Sequence, residues 1–316
     1  MSMAEKRKAL LIGNDDYRYV SKLRGCRNDV KMMKEVLGKH GKGDPNFTVI
    51  DRYNLKNDLI KSEILKLLKR KAIYAVLYFS GHGRLYSNDG YICGVDSRRK
   101  ENFGVSMEWL MNEINESNIP EITVILDCCH AGEIGNFPIH PTELSVLRKG
   151  VTILAATTKD DTATEFSGKG VFTSLLYDGL NGAAADILGH VTPVGLYNCA
   201  ESILSPWEQR PVFKSFVDQM TPLRYCLPSV KKRITRKICD DPFFSSRDQV
   251  IKLSSSMLTE DSKGHHLLLT LMSFEKNGLL DCPNRQSLLE ATLNEQHCQL
   301  STYGKHVWDL VRKKRI

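Results

Sequence analysis

A chain of 316 residues, 41% hydrophobic and 26% charged with 22 Gly and 11 Pro, has the length of about two domains. That composition excludes collagen-like, low-complexity and largely disordered chains. Its net charge of +7 permits acidic partners without identifying one.

The first 13 residues, MSMAEKRKALLIG, lack the length and cleavage site of a secretion signal, and no run of 18 apolar residues occurs. The expectation is a cytoplasmic protein with no membrane partner, whose nine scattered cysteines stay reduced. Short apolar runs rich in β-branched or aromatic residues follow at 9–13, 46–50, 73–79, 122–126 and 151–155. Most lack polar alternation, so both faces should be covered, as in a largely parallel sheet. Between them lie amphipathic segments. Val30, Met33, Val36 and Leu37 share one helical face, Leu59, Ile64, Leu67 and Leu68 a second. Met107, Leu110, Met111 and Ile114 form a third, and Phe172, Leu175, Leu176 and Leu180 a fourth. This alternation predicts an α/β fold with helices on both sheet faces, over residues 1–217, with functional residues at the carboxyl ends of the strands.

Composition changes near residue 217. Residues 218–245 hold Pro222, Pro228, Pro242 and a basic run from Lys231, and read as a linker. Residues 246–316 read as a small helical unit. Leu267, Leu268, Leu271 and Phe274 lie at helical spacing before Asn277–Gly278, Ser287 and Glu290 have capping-box spacing, and a last helix spans 305–311. Residues 228–316 contain 15 Lys or Arg against 10 Asp or Glu, so most of the net charge lies there.

Two strand ends carry reactive residues. One apolar run stops at Ser80-Gly81-His82-Gly83, and another at Asp127-Cys128-Cys129-His130. If these strands are neighbours, His82 and Cys129 face each other across the sheet edge, and a thiolate beside an imidazole is an activated nucleophile. The Gly83 amide, with that of Cys129, could hold a developing oxyanion, so the chemistry is acyl transfer to water. Either motif alone is more often structural, since a lone Cys is usually a small buried hydrophobe. A metal reading is weaker, because Cys128, Cys129 and His130 are consecutive and zinc sites favour wider spacings. No cofactor is implied.

The paired motifs resemble the caspase-like cysteine peptidases, and within them metacaspases and bacterial caspase-family proteins more than animal caspases. The likeness covers about residues 6–217. It includes Gly13-Asn14-Asp15-Asp16-Tyr17, Leu23 to Asp29, Gly170-Val-Phe-Thr173, Gly182 to Asp186 and Gln209-Arg210-Pro211. The resemblance implies a caspase-like, mostly parallel sheet flanked by helices, with His82 as general base, Cys129 as nucleophile and Cys128 a bystander. It implies a pocket for a substrate Arg or Lys formed by Cys26, Asp29, Ser80 and Asp127. The plainer reading makes Asp29 a helix N-cap and Asp127 a strand-end hydrogen-bonding residue. Where calcium-activated relatives carry acidic residues, this chain has Ser106-Met107 and Asn136, so activity independent of calcium is expected. A latent zymogen could be cut after Arg148 or Lys149, or in the polar loop 157–169. By analogy the role is that of an effector in cell death or antiphage defence.

The last 70 residues resemble the small winged-helix modules appended to bacterial effectors. Docking of an upstream activator or partner protein, or autoinhibition, ranks above DNA binding on sequence grounds. The competing reading of the whole chain is a catalytically silent adaptor binding a protein or DNA through that module.

Overall fold

The computed structural model describes residues 6–69, 71–86, 89–98, 100–128, 147–156, 165–166, 169–204, 211–260 and 264–316. They divide into two compact units. The first takes residues up to 185 and 190–227, and the second takes 186–189 and 228–316.

The first unit opens with β1 (Arg7–Gly13), α1 (Cys26–Gly38), β2 (Thr48–Tyr53), α2 (Asn57–Leu68) and β3 (Tyr74–Ser80). A small antiparallel sheet follows, of β4 (Gly83–Tyr86), β5 (Asp89–Ile92) and β6 (Val105–Ser106). Then come α3 (Met107–Glu116), β7 (Glu121–Asp127) and β8 (Val151–Ala155). The rest is β9 (Glu165–Phe166), β10 (Lys169–Gly170), α4 (Val171–Asp178), β11 (His190–Val191), α5 (Pro193–Ile203), β12 (Val212–Phe216) and β13 (Arg224–Tyr225). The main sheet has the order β12-β8-β7-β3-β1-β2, parallel throughout except for β12.

Period-two alternation assigns each strand to two cores. Leu10 and Ile12 of β1, and Leu77 and Phe79 of β3, point into a cluster with Ile60 and Ile64 of α2 and Leu110 and Ile114 of α3. Ala9, Leu11, Val76 and Tyr78 point the other way, onto Val30 and Met33 of α1, Leu176 of α4 and Leu196 of α5. Each fully buried side chain of this size contributes about 1.5–3 kcal/mol. The α/β sheet flanked by helices is therefore the architecture expected, with local differences. The second strand runs to Tyr53 rather than ending at 50. Leu59 is exposed, because α2 turns Asn57, Ile60, Ile64, Leu67 and Leu68 inward. The edge strand β12 has no continuous apolar run to announce it.

Residues 218–245, expected as a linker, are shared between the units, 218–227 with the first and 228–245 with the second. Arg7 donates to the carbonyls of Pro222 and Leu223, and Thr221 donates to Glu121, which fastens this stretch to the sheet as far as β13. From residue 228 the chain belongs to the second unit. There α6 (Lys232–Arg236) leads into a 3-10 turn at Lys237–Cys239, then β14 (Val250–Lys252), α7 (His265–Glu275), β15 (Leu280–Asp281), α8 (Leu288–Leu293), β16 (His297–Leu300) and α9 (Thr302–Arg312). This unit is not purely helical: its three strands form an antiparallel sheet of order β14-β16-β15. Its core gathers Leu268, Leu271, Phe274, Leu288, Leu300 and Val307. Ser287 and Glu290 form the expected capping box, and Gly278 takes the left-handed φ of +68° just past α7. No helix of the described residues is long and apolar enough to cross a membrane.

Candidate active site

Strand register sets the site. Gly13 pairs with Ser80 and Ser80 with Asp127, so β1, β3 and β7 end level and present their last residues on one edge. Gly13 allows α1 to start close by, since a Cβ there would lie 2.7 Å from the Cys26 carbonyl oxygen. The carboxylate of Asp15 reaches across to cap α1, accepting from the backbone N–H groups of Cys26 and Arg27 at 3.0 Å each. The cap of α1 is thus filled by Asp15, and Asp29 is not the N-cap of the plainer reading.

Asp29 instead turns inward, where it is 2% exposed. Its Oδ2 accepts the Ser80 hydroxyl at 2.9 Å and its Oδ1 the Gly170 N–H at 3.1 Å. Asp127 Oδ2 accepts the N–H and hydroxyl of Thr173 at 3.2 and 2.5 Å. With the Thr173 proton so used, Tyr78 donates its own hydroxyl to Thr173 Oγ1 at 2.5 Å. Gly170 lies between the two carboxylates: a Cβ there would come within 2.5 Å of Asp127 Oδ2 and 3.2 Å of Asp29 Oδ2. Burial and then the neighbouring Asp127 charge push the Asp29 carboxyl up to about 7, and burial raises Asp127. Burial holds the Cys26 thiol far above the usual range, so it lines the site as a neutral group. Among the described residues no Lys, Arg or His pairs with either carboxylate. The four residues expected to line a pocket, Cys26, Asp29, Ser80 and Asp127, are brought together.

His82 follows β3 and is half-buried. Its Nε2 lies 2.8 Å from the Ser21 carbonyl oxygen. A carbonyl only accepts, so Nε2 carries the proton of the neutral ring and Nδ1 is left as its basic nitrogen. Tyr17 fixes the ring from another side. It is 2% exposed, and its ring centroid is 4.6 Å from that of His82. Its hydroxyl accepts the His82 backbone N–H at 2.7 Å and donates to the Cys93 carbonyl at 3.2 Å. Gly81 is needed for this seat, since a Cβ would lie 2.5 Å from the Tyr17 oxygen. Cys93 N–H donates to the His82 carbonyl, which makes Gly83–Ile92 a non-hydrogen-bonded pair. The Gly83 N–H therefore points away from the β4–β5 ladder. Sequence reasoning gave no role to Tyr17 or Ser21. Ser21 meets Nε2 with its carbonyl at 2.8 Å and its hydroxyl at 3.4 Å, and a loop serine carries no sequence signal of that role.

Cys129 lies outside the described residues. Cys128, the last one described before it, is buried in the core beneath α2 and α3. Ser106 accepts the Trp109 N–H as the cap of α3 and Met107 is fully buried, while Asn136 lies outside the described residues.

Arg148 and Lys149, the expected cleavage points, both have partners within the first unit. The Arg148 guanidinium donates to the carbonyls of Ile114, Ile119 and Lys149 at 2.9, 2.7 and 2.8 Å, and its N–H bonds Asn115. Lys149 is ion-paired with Asp218. Gly150 donates to Phe216 and accepts from Ile122, which ties the residue before β8 to both neighbouring strands. The alternative loop at 157–169 lies mostly outside the described residues.

Residues 6–260 match the caspase domain of peptidase family C14. Over 165 residues the chain is 30% identical to metacaspase-1 of Coccidioides immitis (strain RS), a match covering 46% of this chain and 35% of that protein. Over 152 residues it is 31% identical to metacaspase-2 of Trypanosoma brucei brucei, covering 42% and 43% respectively. Less than half the length of these curated relatives is therefore matched. In fold the chain is similar to protein GSU0716 of Geobacter sulfurreducens, with a TM-score of 0.51 and 15% identity over 70% of this chain and 99% of that one.

Proposed function

Because the chain belongs to the caspase-domain family of cysteine peptidases, we propose that it hydrolyses peptide bonds after Arg or Lys. The observation that carries this reading is the buried pair Asp29 and Asp127, held by neutral donors and paired with no described cation. Such a pair suits a guanidinium or ammonium from a substrate. In the reaction, His82 Nδ1 takes the proton of the Cys129 thiol, and the thiolate attacks the scissile carbonyl carbon. The Gly83 N–H stabilises the oxyanion of the tetrahedral intermediate. Its collapse breaks the C–N bond, His82 returns the proton to the leaving amine, and a thioester remains. Water, deprotonated by His82, then releases the new carboxyl terminus and the thiol. Tyr17 and Ser21 act as positioning residues that aim Nδ1. Tyr17→Phe should lower kcat about tenfold with KM unchanged, whereas a merely structural role would move neither separately.

The use of Ser106 as a helix cap and the burial of Met107 support activity without calcium. The likeness to metacaspases and bacterial caspase-family proteins supports a regulated effector, in cell death or antiphage defence, released by an upstream protein. The deciding experiment offers fluorogenic Arg, Lys and Asp peptides to the wild type, Cys129→Ala and His82→Ala, with and without a calcium chelator. Cleavage after Arg and Lys alone, unaffected by chelation and abolished in both variants, is the expected result. Cleavage after Asp would refute the pocket, and no cleavage would favour the adaptor reading.

A further inference from the structure

The second unit brings two distant basic segments to one place. The first is Lys231, Lys232, Arg233, Arg236 and Lys237, on α6 and the turn after it. The second is Arg312, Lys313, Lys314 and Arg315, where α9 ends. The 3-10 turn packs against α9. Cys239 Sγ donates to the Trp308 carbonyl at 3.4 Å, and Arg312 lies close enough to act on the Cys239 thiol. Five helical residues rise only about 7.5 Å, so the whole first segment lies near this contact. Eight of the nine side chains are exposed, Lys237 being half-buried. No ion pair joins any of them to a described carboxylate. The acidic residues nearby are Asp240, Asp241 and Asp309, and Asp309 is paired with Arg247 at 3.3 Å.

A helix C-terminus favours cations, which accounts for Arg312 and Lys313 on α9 and for Arg233 and Arg236 on the short α6. It does not account for two such segments, distant in the chain, being brought beside each other. We infer that this surface binds the phosphate backbone of duplex nucleic acid. The duplex is a dense, regular polyanion, with one charge per about 1.7 Å of axis. An anionic membrane fits less well. The large exposed apolar side chains of this unit, Val250, Leu269, Met272, Leu289 and Leu293, belong to β14, α7 and α8 and not to the basic segments. Single strands need aromatic platforms. Here Trp308 is committed, with Nε1–H donated to the Phe244 carbonyl at 2.6 Å and Arg312 over its ring, and Tyr303 sits at the opposite end of α9. Sequence order alone hides this, because 74 residues separate the two runs. Binding is independent of the peptidase chemistry, so it should survive in Cys129→Ala.

The test uses full-length Cys129→Ala protein and a fluorescein-labelled 20-base-pair duplex of mixed sequence, read by anisotropy. Affinity should fall about 10²–10³-fold between 50 and 200 mM salt, as about five phosphate contacts require. The joint changes Lys231→Gln, Lys232→Gln, Lys313→Gln and Lys314→Gln should weaken binding at least tenfold and flatten the salt slope. Control changes Lys276→Gln and Arg285→Gln should do neither. Circular dichroism confirms that each variant folds. Should the joint variant fail to fold, the four single changes replace it, each expected to reduce the salt slope by about one. No duplex binding at 50 mM salt would overturn the inference. So would equal binding by the neutralised variants, or binding confined to single strands or phosphatidylserine vesicles.

Discussion

The two edges of the main sheet treat buried charge in opposite ways. At the amino edge, Arg7 is 4% exposed, yet it donates to two carbonyls and lies 4.3 Å over the Phe47 ring and 5.1 Å over that of Tyr74. Arg148 donates to three more carbonyls. Both guanidinium groups are met by carbonyls of their own chain, although the buried Arg7 Nε–H has no hydrogen-bond partner among the described residues. At the carboxyl edge, Asp29 and Asp127 receive only N–H and O–H donors, and the result is a carboxyl raised to about 7. Burying charge costs several kcal/mol unless it is compensated. The first edge is arranged for stability. The second retains an electrostatic penalty, which the proposed binding of a substrate Arg or Lys would relieve.

The sharpest way to break this comparison is Asp29→Asn. Loss of one partner in a buried charge pair costs about 2–5 kcal/mol, so kcat/KM for Arg peptides should fall about 10²–10³-fold. Activity retained within threefold would remove the pocket from the account. The amino edge is tested by Arg148→Met, which leaves carbonyls of the α3 end and of Ile119 without their donor. Urea unfolding should show a loss of about 2–3 kcal/mol, with activity per folded molecule unchanged. A change in self-cleavage as the chief effect would instead support a processing role for this segment.

The smallest effect concerns pH. Asp29 holds its proton more tightly folded than unfolded, where its ordinary value is 3.8. Its contribution to stability is therefore complete below pH 3.8 and is lost as pH rises through about 7. At pH 8 the ionised group no longer contributes to folding and carries the cost of its burial beside Asp127. An amide replaces one acceptor facing Ser80 or Gly170 with a donor, so Asp29→Asn should recover only about 1 kcal/mol at pH 8. Below pH 4 the variant should be the less stable of the two. Thermal unfolding at both pH values reads the sign, and a variant less stable at pH 8 as well would contradict the raised carboxyl.

The buried strands β1, β3, β7 and β8 are legible in the sequence because both faces are covered, which leaves unbroken apolar runs. The edge strand β12 is not, since Val212–Phe216 is only half covered and carries no such run. The grouping of Cys26, Asp29, Ser80 and Asp127 is legible through the family resemblance, although not its bonding, in which Asp15 takes over the cap and Asp29 turns inward. The support of His82 is hidden for a different reason. It depends on where a backbone carbonyl and a loop tyrosine arrive in space, and neither position can be read from residue type. The basic surface of the second unit is visible as charge but not as a place, because α9 must fold back onto the turn after α6 before the two runs meet.

The second unit takes its residues from two stretches of chain, 186–189 and 228–316, and the short piece brings Ile187 into its core. The backbone therefore passes between the units three times, at 185–186, 189–190 and 227–228. No single hydrolytic cut at the last crossing can set the second unit free, since the fragment carrying 186–189 stays noncovalently lodged in it. The two fragments of such a cut would travel as one particle through a sizing column and separate only in denaturant. A truncation ending at 227 would leave Ile187 without the core that covers it.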